Sequence, residues 1–396
     1  MSTAADTDAD ATAGVDPERV ASALSAAEFV RAYARPTGDA LAAAGLLART
    51  LRDRGTPFQV RTTRERVAPD GDGRAVTLGW AAPDATAIAP GDRPVSAAAA
   101  AVVDALGAEP DPLTGLAGVA AAGAVPGDDG SGGLLEAAER RGLVERRPGL
   151  AVPTDDLADG LAHSTLLRAP YSGDTDATRE LIADLGIGPE PTEDDRRRLA
   201  SAVALDATGE RDAPERSVGA VERALRPYAT PTGPFATLGG HADVLSALAR
   251  ERPGLGVSLA LGADVADAAR SVWREHASRA HGLLDDPTTG RYDGALVYRV
   301  ETEPGDASAL ATAARLVRDF RSPEPVALVV SDDAAAAAGD GAADVTAALR
   351  AGVEGAGGDG DDPDGYDVVG DARAGDARFS GGDVQAFVGA FREALR

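Results

Sequence analysis

The run Phe29-Val30-Arg31-Ala32-Tyr33-Ala34 leads directly into Arg35-Pro36-Thr37-Gly38-Asp39 and then into an Ala- and Leu-rich stretch ending at Arg54. An apolar run, a Pro/Gly turn and a segment with apolar residues at helical spacing predict a strand, a tight turn and a helix. Gly55 is the stop signal. This order constrains the fold more than any other feature, because a strand followed by a helix leads to a parallel neighbour by a crossover. The pattern repeats. Residues 57–62, 75–80 and 85–88 read as strands, with Phe58 and Val60 on one face of the second. Residues 96–106 and 113–122 read as helices. An α/β fold is therefore expected, with a parallel sheet flanked by helices. In such sheets ligands bind beyond the carboxyl ends of the strands, and the Tyr33–Asp39 turn sits at one of them.

With 396 residues, 44% of them apolar, the chain can build two or three domains with sizeable cores. No apolar run is long enough to span a membrane, so a cytoplasmic protein is expected. There are no cysteines, which excludes disulfides, thiolate catalysis and Cys-based zinc sites. Net charge is −25, and all 39 basic residues are Arg. Carboxylates spread along the whole chain point to adaptation to multimolar salt. In such salt counterion release contributes little to nucleic-acid binding, so an acidic chain can still bind nucleic acid through Arg forks and stacking.

Residues 1–15 read as a disordered acidic tail and 16–155 as the α/β domain. Within that domain a small hairpin pairing 143–145 with 150–152 is expected. Residues 156–290 read as a helical connecting segment. Residues 291–396 read as a small C-terminal α/β domain, with strands at 295–300, 325–330 and 366–372. Its helices are expected at 308–320 and 383–395, and a Gly/Ala/Asp-rich flexible insert at about 340–364.

The stretch from Tyr33 to Leu41 resembles the first motif of the DHH phosphoesterases, the superfamily of RecJ exonucleases and nanoRNA-degrading enzymes. That motif runs roughly His-x-Asn-Pro-Asp-Gly-Asp-Ala-Leu-Gly-Ser. Pro36, Gly38, Asp39, Ala40 and Leu41 keep its frame, while Tyr33 replaces the His and Thr37 the first Asp. The resemblance extends over the chain as that to a short archaeal RecJ-like protein. It implies a DHH domain joined to a DHH-associated domain, acting on or binding single-stranded DNA or RNA in replication and repair. It further implies manganese or magnesium chemistry and, in related proteins, contacts with the GINS complex or the replicative helicase.

The metal motifs are degenerate. Gly79 stands where a metal-bridging Asp should end the third strand, with Asp84 a displaced substitute. Ala89-Pro90-Gly91-Asp92 replaces the Asp-His-His triplet, and Asp128 is the first acid after the helix of the fourth motif. No His precedes His163. Three readings follow. The first is a family member with a lost or weak exonuclease, no resident cofactor and a scaffold role. The second is an active phosphoesterase whose manganese or magnesium is held by Asp39, Asp84, Asp92 and Asp128 alone. The third is a protein-interaction module. For the carboxylates, plain alternatives stand beside these: Asp39 as a helix N-cap, Asp84 as turn chemistry, Asp92 and Asp128 as surface acids. Gly239-Gly240-His241 is expected to be a cap and turn rather than a nucleic-acid loop. Near the C-terminus Arg373 or Arg378 could fork a phosphate and Phe379 could stack on a base, against an internal Arg–Asp network with Phe379 in the core.

Overall fold

The computed structural model describes residues 15–64, 72–82, 85–89, 91, 93–209, 214–225, 227–303, 306–357, 366–379 and 382–396. The elements run α1 (Pro17–Ser25), β1 (Val30–Ala34), α2 (Gly38–Asp53), β2 (Phe58–Thr62), β3 (Arg74–Leu78) and β4 (Thr86–Ile88). There follow α3 (Val95–Ala105), α4 (Pro112–Ala121), α5 (Gly132–Arg140) and β5 (Glu145–Arg146). The middle holds α6 (Leu157–His163), α7 (Thr175–Asp184), α8 (Glu193–Thr208), α9 (Arg216–Ala224), β6 (Tyr228–Ala229), α10 (Leu238–Glu251), α11 (Pro253–Ala260) and α12 (Ala266–Gly282). The last stretch is β7 (Thr288–Tyr292), β8 (Ala295–Arg299), α13 (Leu310–Phe320), β9 (Val326–Val330), β10 (Ala334–Ala338), α14 (Val345–Gly355), β11 (Tyr366–Gly370), β12 (Ala374–Phe379) and α15 (Val384–Ala394).

Two compact units share the chain. One takes the sequence up to Arg147 with Ala151–Asp155 and Pro227–Trp273; the other takes Pro148–Leu150, Asp156–Arg226 and Arg274–Arg396. The helical stretch expected as a single connector is therefore divided. Residues 227–273 belong to the first unit because α10 and α11 pack on α2 and α4.

The first unit holds a four-stranded sheet of order β2-β1-β3-β4, all parallel, as strand–helix alternation requires. Ala34 lies opposite both Thr62 and Leu78, so the strand ends are level. Helix α2 is buried along nearly its whole length, and a helix apolar on all sides belongs inside a core. It is enclosed by α3, α4, α10 and α11. The expected hairpin after α5 does not form. β5 pairs instead with β6, and Leu150 bridges to Leu225.

In the second unit a six-stranded mixed sheet has the order β11-β12-β10-β9-β8-β7. The strand and helix positions expected at the C-terminus hold, and β7, β10 and β12 are additions. Strand β10 consists of five alanines, all buried. Ala335 and Ala337 face the core built with α14 and α15, while Ala334, Ala336 and Ala338 face the core under α13. The expected insert at 340–364 is partly ordered helix, since α14 falls within it and packs against α15. Residues 358–364 of that insert and residues 1–14 of the expected acidic tail lie outside the described residues.

Candidate functional site

The carboxyl ends of β1–β4 place the first motif at one edge of the parallel sheet. Arg35 continues from β1, its N–H donating to Leu78 O at 3.0 Å, and Thr63 N–H donates to Ala34 O at 3.0 Å. The turn then enters α2 through Thr37, whose hydroxyl accepts from Ala40 N–H at 3.3 Å. Thr37, not Asp39, is therefore the N-cap of its own helix.

Asp39 is committed elsewhere. Its Oδ2 accepts from Val95 N–H and its Oδ1 from Ser96 N–H, each at 2.8 Å. These are the first residues of α3, whose flanking Pro94 offers no side-chain cap. A carboxylate at a helix N-terminus satisfies orphan donors and complements the dipole. Burial pushes the Asp39 carboxyl above its ordinary range, while the backbone N–H groups of Ser96 and Val95 pull it back. With the carboxyl buried and each oxygen already engaged by a backbone donor, Asp39 is poorly placed to hold a divalent ion.

The other sequence candidates do not assemble around it. Asp128 is exposed in the turn before α5, where its carbonyl accepts from Ser131. Asp84 and Asp92 lie outside the described residues. Among the described residues no group of three or more His, Cys, Asp or Glu side chains is placed to hold a metal. The described side chains thus do not fit a two-metal centre, which needs several convergent hard ligands.

Other groups fill the edge. Tyr33 is buried within β1. Gly79 has φ 103°, and an added Cβ there would lie 3.2 Å from the Arg35 side chain. A left-handed residue with no room beside it must be glycine. The next residue, Trp80, is buried, and its indole N–H has no acceptor among the described residues. Arg64 lies two residues past β2, and Arg93 lies between β4 and α3, alongside Gly130.

All four imidazoles have structural surroundings. Gly239-Gly240-His241 is the first turn of α10, where Gly240 packs on the Val152–Pro153 backbone. His241 is buried against Phe235, and burial lowers its pKa to about 4. In the second unit, burial lowers His281 to about 3, with Arg168 adding to the effect. Its Nε2 lies 3.0 Å from Ser164 O. His276 Nε2 meets Thr312 Oγ1 at 2.8 Å, and His163 Nδ1 lies 3.2 Å from Asp159. Asp159 is raised by burial, but the two-bonded fork of Arg274 and His163 hold it below the ordinary range.

The C-terminal candidates separate. The segment 373–379, between the expected strand at 366–372 and the expected closing helix, is mostly strand β12, paired on both sides by β10 and β11. Strand alternation sends Arg378 outward and Phe379 inward. Phe379 is a core residue, its ring stacked on Phe387 at 5.0 Å, and this corrects its expected role as a base platform. Arg373 and Arg378 are both exposed, and neither has an ion pair among the described residues. Among the described residues, the internal Arg–Asp network weighed against them does not engage these two guanidiniums.

Residues 287–393 match the family model described as uncharacterized protein rrnAC1427, C-terminal domain. Over 390 residues the chain is 46% identical to the uncharacterized protein rrnAC1427 of Haloarcula marismortui, covering 97% of this chain and 98% of that protein. Among solved structures, CDC45 from Entamoeba histolytica is similar with a TM-score of 0.57 at 9% identity, over 93% of this chain and 94% of that one. The manganese-bound exonuclease RecJ is similar with a TM-score of 0.48 at 14% identity, over 97% and 94%. The likeness to CDC45 shows a shared fold spanning both units.

Proposed function

Since the chain belongs to the family of the Haloarcula protein rrnAC1427 and shares the fold of CDC45, we propose that it is a RecJ-like protein that binds single-stranded nucleic acid without cutting it efficiently. Its place is in DNA replication or repair in a cytoplasm of multimolar salt. Its role there is that of a scaffold, with a GINS-type complex or the replicative helicase as protein partner. The observation that carries this reading is the engagement of Asp39. The acid that survives from the first motif caps α3 from inside the core. A carboxylate-only nuclease on Asp39, Asp84, Asp92 and Asp128 would have to release that cap before Asp39 met a metal. Arg373 and Arg378 supply forks for phosphate on the C-terminal sheet.

The test is hydrolysis of end-labelled single-stranded DNA and RNA in multimolar KCl with manganese, beside a binding measurement on the same strands. Retained binding without turnover is expected. Manganese-dependent turnover that vanishes in Asp39→Ala would overturn the reading in favour of the nuclease. Neither binding nor turnover would leave the protein-interaction module.

A further inference from the structure

The six-stranded sheet of the second unit ends in an open edge. Strand β7 is last in its order and pairs on one side, with β8. The turn Asp293–Gly294 joins them, so Tyr292 and Ala295, which flank it, exchange backbone hydrogen bonds. Alternation then directs the N–H and C=O groups of Tyr292, Gly290 and Thr288 at β8, and those of Arg291 and Thr289 outward. Thr288, Thr289 and Arg291 are exposed. Native edges are usually blunted by Pro, a bulge or inward-pointing charge. Within its five residues β7 holds no Pro, and its register with β8 runs without a bulge.

The edge is also cationic, in a chain of net charge −25. Arg291 on β7 donates from Nε to Glu324 Oε1 at 2.8 Å. Arg216 donates from both terminal nitrogens to the carbonyl oxygen of the same Glu324, each at 3.0 Å. The Arg392 guanidinium lies 3.6 Å over the Tyr292 ring. That ring leans over Gly290, where an added Cβ would meet it at 2.9 Å, and an aromatic ring across an edge glycine helps pin the register of a strand. The carboxylate of Glu324 is spent on Arg291 and on the Gly294 N–H, the latter at 3.1 Å. The Arg291 side chain stays 66% exposed, and among the described residues its terminal nitrogens have no hydrogen-bond partner. The exposed acids Asp286 and Asp293 stand beyond the two ends of β7 and Glu393 beside Arg392, which leaves the middle of the strand to Arg291.

We propose that this edge docks an acidic, extended segment of a partner protein, which adds to β7 as one more strand of the sheet. The backbone of the segment completes the ladder on Thr289 and Arg291, and a carboxylate near its middle takes the terminal nitrogens of Arg291. Arg216 and Arg392 add positive charge beside it. In multimolar salt the attraction of point charges is screened within a few Å, so short forked contacts of this kind carry the charge complementarity. A nucleic acid lacks the alternating N–H and C=O row that such an edge pairs, and a peptide has it. The scaffold role proposed above gives a reason for a protein partner; the chemistry of the edge rests neither on it nor on nucleic-acid binding.

The experiment is fluorescence anisotropy of a labelled peptide of alternating Val and Glu with the full chain in about 2 M KCl, a salt level of the order that the acidic composition implies. The controls are the same peptide N-methylated on its backbone at alternate residues, its Lys counterpart, and an unlabelled oligothymidylate as competitor. The Val/Glu peptide is expected to bind, and N-methylation, which removes ladder donors, to weaken it at least about tenfold. Thr289→Pro takes away an outward N–H that β8 does not use, so the fold should survive, checked by its thermal transition, while binding falls at least about fivefold. Arg291→Glu is expected to turn the preference toward the Lys peptide. Peptide binding that neither variant changes, or no binding of any peptide, overturns the proposal. Competition by the oligothymidylate overturns it too and gives the edge to nucleic acid. Self-association in sedimentation velocity that Thr289→Pro abolishes overturns it in favour of a second copy of this chain. Labelled oligothymidylate titrated into both variants reads the function proposed above separately, since its binding is expected to be unchanged by either substitution.

Discussion

Asp39 and Ser96 are 57 residues apart in sequence, and a 2.8 Å hydrogen bond from the Ser96 backbone N–H to the Asp39 carboxylate joins α2 to the start of α3. Neither residue needs the other in its own helix. Thr37 caps α2, whereas α3 begins after a proline and borrows its cap. The acid that a phosphoesterase motif would turn to metal here closes a gap in secondary structure.

Asp39→Ala should therefore destabilise the protein by about 1–2 kcal/mol through the lost cap. The pH dependence carries a sign. Burial raises the folded pKa above the ordinary 3.8, so the folded state binds the proton more tightly. Stability then falls as pH rises from about 3.8 through the folded value. Asp39→Asn should lack this slope. Chemical denaturation of both proteins across that range checks it.

The buried imidazoles act in the opposite direction. Burial lowers His241 to about 4 and His281 to about 3 from 6.5. Their unfolded forms take up protons first as pH drops, so stability is full above 6.5 and is lost on the way down. Each should cost about 2 kcal/mol between pH 6.5 and 5. Thermal unfolding of His281→Gln at pH 7 and pH 5 should show a smaller acid loss than the wild type.

Arg378 and Phe379 are adjacent but should behave differently. Phe379→Ala removes a core ring stacked on Phe387 and should cost about 3–5 kcal/mol of stability. Arg378→Ala changes an exposed side chain and should leave stability within about 0.5 kcal/mol. Its effect should appear in strand binding. Melting curves and anisotropy on the two variants separate the roles.

A substitution in β10 tests the packing of the C-terminal sheet. Ala336 is fully buried and faces the α13 core. Ala336→Leu should cost about 1–3 kcal/mol by overpacking despite its added apolar surface. A drop in the unfolding midpoint checks this; a rise would mean that the core has room.

Local signals in the sequence read well. The Phe29–Ala34 run, the Pro/Gly turn and the helix to Arg54 stand where periodicity places them, and so does the closing helix with Phe387 and Phe391 inside. What failed was non-local. The Asp39–Ser96 bond links two segments that nothing in either announces. Ala334–Ala338 has strong helix propensity, and tertiary context overrides it, because pairing with β9 and β12 satisfies its backbone on both sides. The strand at 374–379 was not expected because Ala374, Gly375 and Ala377 carry no strand signal of their own. At the candidate site, the absence of His in the first motif was legible, but the commitment of Asp39 to α3 was not, because it depends on the packing of two segments far apart in sequence.

Strand β10 also reverses a habit of reading. Alanine repeats are usually passed over as segments free to drift. Here both faces of the strand are closed, one by each core. Larger side chains overfill one side or the other, and glycine loosens the strand. The plainest five letters of the chain are thus among those with the fewest acceptable replacements, and a low-information stretch should prove slow to diverge.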